Sequence, residues 1–257
     1  MAARSGSARS SKPRKGSTPP LSALDLGIDL GTTRTVVARA DRGNYPVLSF
    51  TDTNGDSHDY YPSLTALTDD GLVHGFRARR AARQGAPLLR SLKRTLAAPS
   101  VSAASPVALG DRTLGVGEVL VSFLTDLRQE LAASGVLDGA DPGGEDANVV
   151  VAVPAHAYGA QRLLTLDAFR AAGFHVTAML NEPSAAGFEY THRKASTVSS
   201  RRTRVLVYDL GGGTFDTSLV DVNGAAHEVL ASRGLGDLGG DDVDLILAQM
   251  ALARTSM

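Results

Sequence analysis

The 257-residue chain has no cysteine and no tryptophan, and only 5% of it is aromatic. Without cysteine, disulfides and thiolate metal sites are excluded, and a reducing compartment is compatible. Long apolar runs are missing as well. The longest clean one, residues 149–153, is far too short to cross a bilayer. The start carries positive charge with no apolar segment behind it, which argues against a cleaved secretory signal. Net charge is only −1 but unevenly spread, since Arg4, Arg9, Lys12, Arg14 and Lys15 all precede the first acid, Asp25. Residues 1–22, rich in Ser, Gly and Pro, are expected to be a disordered basic tail. Five cations without aromatics fit a solvated extension better than a nucleic-acid arm. The expectation is a soluble, cytoplasmic protein with neither a membrane nor a nucleic acid as partner.

What is present is organised around residues 208–216, Y-D-L-G-G-G-T-F-D. The β-branched run before it, residues 205–207, predicts a buried strand, so Asp209 falls where that strand ends. Gly211, Gly212 and Gly213 make a turn whose backbone amides can approach a ligand closely. Thr214 adds a hydroxyl, and residues 215–222 return as a second strand. Amides in a concave turn attract anions, whereas Asp209 and Asp216 repel them unless a cation lies between. That combination suits a magnesium nucleotide better than free phosphate.

A second copy stands near the start. Residues 26–33 read L-G-I-D-L-G-T-T, and residues 34–40 return as a strand, so that Asp29, Gly31 and Thr32 echo Asp209, Gly211 and Thr214. Two such hairpins far apart suggest two similar half-domains facing one cleft. G-I-D-L-G-T-T together with V-Y-D-L-G-G-G-T-F-D resembles the ATPase domain of the Hsp70 (DnaK-type) chaperones. The resemblance implies an α/β, actin-like (ribonuclease H-like) ATPase fold with two lobes around a nucleotide cleft. Residues 23–204 would form the first lobe with an inserted subdomain, and residues 205–257 the start of a second, incomplete lobe.

Between the hairpins, short strands are expected at 45–50, 62–67 and 72–76, followed by a basic helix at 77–84. The spacing of Leu89, Leu92 and Leu96 predicts a helix over 89–96. Residues 99–112 read as a loose connection and 116–132 as an amphipathic helix with an apolar core stripe. A loop at 134–146, a strand at 148–154 and a helix at 161–172 follow. A strand at 175–180 then leads to a helix from Pro183 to about residue 190. Residues 191–204 read as a linker, 228–232 as a strand, and a last helix runs to about residue 253. Residues 234–239 spell G-x-G-x-x-G, but no βαβ unit surrounds them and no ribose-binding acid can follow, so a dinucleotide site is not expected.

Other strings carry the same family resemblance: K-R at Lys93, V-P-A at Pro154, A-Q-R at Arg162, N-E-P at Glu182, and L-G-G at residues 238–240. It implies ATP or ADP with Mg2+ as cofactors. Gly31, Thr32 and Thr33 would hold one side of the phosphates, and Gly211, Gly212, Gly213 and Thr214 the other. Asp29, Glu182, Asp209 and Asp216 would surround magnesium, mostly through water. Lys93, Glu182, Asp209 and Asp216 would be the catalytic set, with Lys93 offsetting developing charge and Glu182 holding or polarising a water. Pro154 and Arg162 would relay the nucleotide state. His156 to Gly159 depart from the family's Y-F-N-D, and His156 is read as a hydrogen-bonded structural histidine. The implied partners are a J-domain co-chaperone, a nucleotide exchange factor and unfolded polypeptide, although the peptide-binding domain is absent here. Three alternatives stay open: part of a chaperone ATPase acting in protein folding and the stress response, a nucleotide-binding or interaction module without turnover, and another actin-like protein such as a sugar kinase or filament former. The N-E-P and F-D-T-S strings argue against the last.

Overall fold

A computed structural model of the chain describes residues 24–137, 139–145, 147–194, 203–224 and 226–255. The basic tail expected at 1–22 and the middle of the linker expected at 191–204 lie outside the described residues. The architecture is mixed α/β with several sheets. Among the described residues, no helix is long and apolar enough to cross a membrane.

The first hairpin is β1 (Leu24–Leu30) and β2 (Arg34–Arg39). The expected strand at 45–50 is instead a bridge from Val47 to Ala38 and a two-residue β3 (Phe50–Thr51), paired with β4 (Ser57–His58). The Asp52 carboxylate accepts from the backbone N–H groups of Asn54 and Asp56, at 2.7 and 3.0 Å, and holds the turn between β3 and β4. Next come β5 (Tyr61–Pro62), β6 (Thr65–Thr68), β7 (Gly71–His74) and α1 (Gly75–Arg83).

The helix expected over 89–96 is corrected to α2 (Leu92–Leu96), because β8 (Leu88–Leu89) pairs with β6. Ser91 between them sits in the left-handed region at φ 58°, where a continuous helix cannot run. The loose connection at 99–112 is in part a hairpin, β9 (Pro106–Leu109) and β10 (Arg112–Gly115), closed by Gly110 and Asp111. Then follow α3 (Val116–Ala133), β11 (Ala147–Val153), α4 (Gly159–Ala171), β12 (Val176–Asn181) and α5 (Glu182–Arg193). The described residues end with β13 (Arg204–Leu210), β14 (Phe215–Asn223), β15 (Ala226–Leu235) and α6 (Gly240–Thr255).

The core lies on the five-stranded sheet, in the order β12-β11-β1-β2-β5. β1 runs parallel to β11 and antiparallel to β2. Its alternate residues Leu24, Leu26, Ile28 and Leu30 are buried in one cluster with Val116, Leu120, Leu124, Leu127 and Leu131 of α3 and Phe169 of α4. That helical stripe supplies the main apolar face, each fully buried leucine contributing about 1.5–3 kcal/mol. The second sheet is antiparallel, β13-β14-β15. β13 was expected to be buried, but it is an edge strand with Leu206 and Tyr208 each 67% exposed.

Candidate functional site

Both glycine-bearing turns close antiparallel hairpins. In the first, the Gly31 N–H donates to the Asp29 carbonyl at 3.1 Å. In the second, the Gly211 N–H donates to the Thr214 carbonyl at 2.9 Å. The two tips meet. A Cβ on Gly212 would collide with the side chain of Thr33, and one on Gly213 with Thr32, so the contact exists only because those side chains are missing. Gly31 instead faces the Arg34 carbonyl of its own turn. The stretch leading into α6 fastens the second turn from behind. The N–H groups of Gly240 and Asp241 donate to the carbonyls of Gly211 and Gly212, at 3.0 and 2.8 Å. Of the glycines in residues 234–239, Gly234 lies in β15 and Gly239 packs against the backbone of Gly212.

Under the tips lies a charged cluster drawn from distant elements. Asp29 is the penultimate residue of β1, Asp209 the penultimate residue of β13, Asp216 the second residue of β14 directly across from Asp209, and Glu182 opens α5. Like charges facing each other across a strand pair destabilise it, which is the mark of a site kept for chemistry. The Lys93 ammonium on α2 donates to Glu182 Oε1 at 2.5 Å, with both side chains largely covered.

Burial raises the Asp29 carboxyl above its ordinary range, with Lys93 opposing the rise and Asp209 adding to it. Burial also raises Glu182; Lys93 again opposes, and Asp29 and Asp209 add. For Lys93, burial alone would favour the neutral amine, but Glu182, Asp29 and Asp209 outweigh it and hold its pKa above the ordinary value. The lysine is thus drawn toward charge and the glutamate toward neutrality. Their short N–O separation belongs to the ionised pair. Asp216 is raised by burial, opposed by His156, pushed further by Asp209 and opposed by Lys93.

The sequence-expected residues therefore gather: Thr32, Thr33, Gly212 and Gly213 at the tips, and Asp29, Lys93, Glu182, Asp209 and Asp216 below them. Glu182, Asp209 and Asp216 share a cleft of about 310 Å³ with Pro154. Arg162 donates to the Pro154 carbonyl at 3.2 Å and to Asn181 Oδ1 at 2.7 Å, which joins the V-P-A segment to the residue preceding Glu182.

Two groups of contacts lie outside the site residues singled out in the sequence. Arg94 donates to the Gly213 carbonyl at 2.7 Å and pairs with Asp242, while Arg90 and Ser91 bond Asp241, at 2.9 and 2.8 Å. The signal was available, since R-S-L-K-R and the adjacent acids of L-G-G-D-D are complementary. His156, read as structural, stands with Nδ1 3.0 Å from Asp216 Oδ1.

The donor set fits magnesium in a particular way. Four carboxylates face one lysine, which leaves negative charge for a cation to offset. Yet among the described residues no three His, Asp or Glu side chains are grouped to hold an ion directly. Magnesium keeps several waters and binds carboxylates and phosphates together, so water-mediated holding is what these acids can offer.

The profile of the family described as "Hsp70 protein" matches residues 111–256. The chain is similar to Chaperone protein HscA of Pectobacterium carotovorum subsp. carotovorum, 34% identical over 259 residues, covering 93% of this chain and 39% of the relative. It is 36% identical over 252 residues to Chaperone protein HscA of Edwardsiella ictaluri, covering 93% and 39%. With the Chaperone protein HscA homolog of Laribacter hongkongensis it shares 35% identity over 248 residues, covering 91% and 38%. The chain thus spans about two fifths of the length of these relatives.

Proposed function

The chain belongs to the Hsp70 family, and from that premise we propose that it is an ATP-binding and ATP-hydrolysing part of an Hsp70-like chaperone with an actin-like, two-lobed fold. Residues 23–204 would be the first lobe and residues 205–257 the start of the second. The observation that supports this best is the meeting of two glycine turns above Asp29, Lys93, Glu182, Asp209 and Asp216.

Phosphoryl transfer to water needs alignment and charge stabilisation more than covalent help. Gly31, Thr32 and Thr33 on one side, and Gly211, Gly212, Gly213 and Thr214 on the other, offer amides and hydroxyls to the phosphates. Asp29, Glu182, Asp209 and Asp216 would hold magnesium through water, where it would supply positive charge against the phosphates. Lys93, kept protonated by its acids, faces the charge that develops at the transferred group. Glu182 orients the attacking water, and Arg162 carries the nucleotide state from Pro154 toward partner surfaces. In the whole protein the partners would be a J-domain co-chaperone, a nucleotide exchange factor and unfolded polypeptide.

Direct contact between the tips favours a second reading, binding without turnover, because phosphates must part Gly212 from Thr33 to enter. Titration of the chain with ADP and ATP, with and without Mg2+, followed by phosphate release, tests both. Mg2+-dependent binding is expected in either case; release lost in Lys93→Ala and Asp209→Asn, with binding retained, supports hydrolysis. Binding without release supports the second reading, and no binding under any condition overturns both.

A further inference from the structure

We infer that His156 is a positioning residue for Asp216, holding Oδ1 of that carboxylate so that Oδ2 alone meets a ligand in the cleft shared with Glu182 and Asp209. This deepens the magnesium-nucleotide reading and rests on it. Asp216 Oδ1 is buried and makes no hydrogen bond among the described residues, while His156 Nδ1 stands in ion-pair contact 3.0 Å away, close enough to become its donor. A buried acceptor next to one nitrogen donor has a single way to be satisfied.

The surroundings are built for this pair. Gly234 of β15 stands opposite Asp216 in the strand register. A Cβ there would collide with Asp216 Oδ1 and come within 3.1 Å of His156 Cε1. Only a glycine leaves room for imidazole and carboxylate together. The histidine also arrives on an anchored segment. Arg162 donates to the carbonyls of Pro154 and Ala157, at 3.2 and 3.3 Å, on either side of it. Asp209 sits across the strand pair and repels Asp216. A hold on Oδ1 keeps that repulsion from turning the carboxylate away from the cleft.

The test is the Mg2+ requirement for binding a fluorescent adenine nucleotide. Outer partners of metal-holding groups typically tune affinity by 10- to 100-fold. His156→Ala should raise the Mg2+ concentration needed for half-maximal tightening by about tenfold, with affinity for the metal-free nucleotide unchanged. Gly234→Ala should act alike by crowding Oδ1. His156→Asn, whose amide nitrogen reaches the Nδ1 position, should restore the wild-type requirement. Equal Mg2+ requirements in wild type and His156→Ala overturn the proposal.

Imidazole 15N spectra of the ligand-free chain separate this failure from failure of the nucleotide reading. Asp216→Asn should move the His156 Nδ1 resonance and leave those of His74 and His175 in place. An unmoved His156 resonance overturns the positioning role whether or not nucleotide binds. A moved resonance without any nucleotide binding would sink the nucleotide reading and leave the contact standing.

Discussion

His74 shows how one residue can set a pH limit on the fold. It is 2% exposed, with Nδ1 on Thr65 Oγ1 at 3.0 Å and Nε2 on Ser122 Oγ at 2.8 Å. Burial, helped by the charge of Arg77, pushes its pKa down from 6.5 to about 4. Between those values the unfolded chain binds a proton that the folded chain refuses, so stability is complete above pH 6.5 and falls as pH drops toward 4. At 1.36 kcal/mol per unit the loss is about 3 kcal/mol. Urea unfolding at pH 7, 6 and 5 should show the decline, and His74→Asn should flatten it. An identical pH slope in the variant would remove His74 as its source. None of this could be read from the sequence, where a lone histidine between apolar residues gives no hint that two hydroxyls from β6 and α3 meet it.

At the scale of elements, the contact between the two hairpins is the feature that local sequence could suggest and not establish. Gly212→Ala should drive a methyl into Thr33 Cγ2. The tips would separate at a cost on the order of 1–3 kcal/mol. Amide exchange at residues 31–33 and 212–214 should accelerate by about an order of magnitude. Adding Thr33→Ser, which removes the methyl in the way, should return exchange toward wild type; unchanged exchange in the single variant would mean the tips do not touch. Other elements were readable to different degrees. The stripe of Leu120, Leu124, Leu127 and Leu131 announced α3, because its period survives any packing partner. The β9–β10 hairpin is marked in the sequence only by Gly110 and Asp111, a two-residue turn signal between short strands. The leucine spacing extends α2 too far toward its start, because it carries no information on the pairing of Leu88 and Leu89 with β6.

Across the whole molecule, apolar exposure is concentrated on the second sheet and α6. Leu206, Tyr208 and Leu210 on β13, and Leu245, Ile246, Leu247, Met250 and Leu252 on α6, are each more than half exposed. Exposed apolar side chains in such number favour association, and β13 adds a sheet edge among the described residues. Sedimentation of the isolated chain should show concentration-dependent self-association, reduced by Leu206→Lys with Leu247→Glu. A monomer at all concentrations would contradict that reading of the surface.

The sequence by itself determined the family, the two glycine turns and the periodic core elements, because each depends on residues a few positions apart. Only the tertiary structure decided which side chains share the site. Lys93 and Glu182 are 89 residues apart and Arg94 and Asp242 are 148, yet both pairs are in contact. His156 reaches Asp216 only because a loop after β11 and a glycine in β15 converge on it. Periodicity and turn chemistry act along the chain, whereas burial of a carboxylate, and the cation that compensates it, depend on what other elements bring.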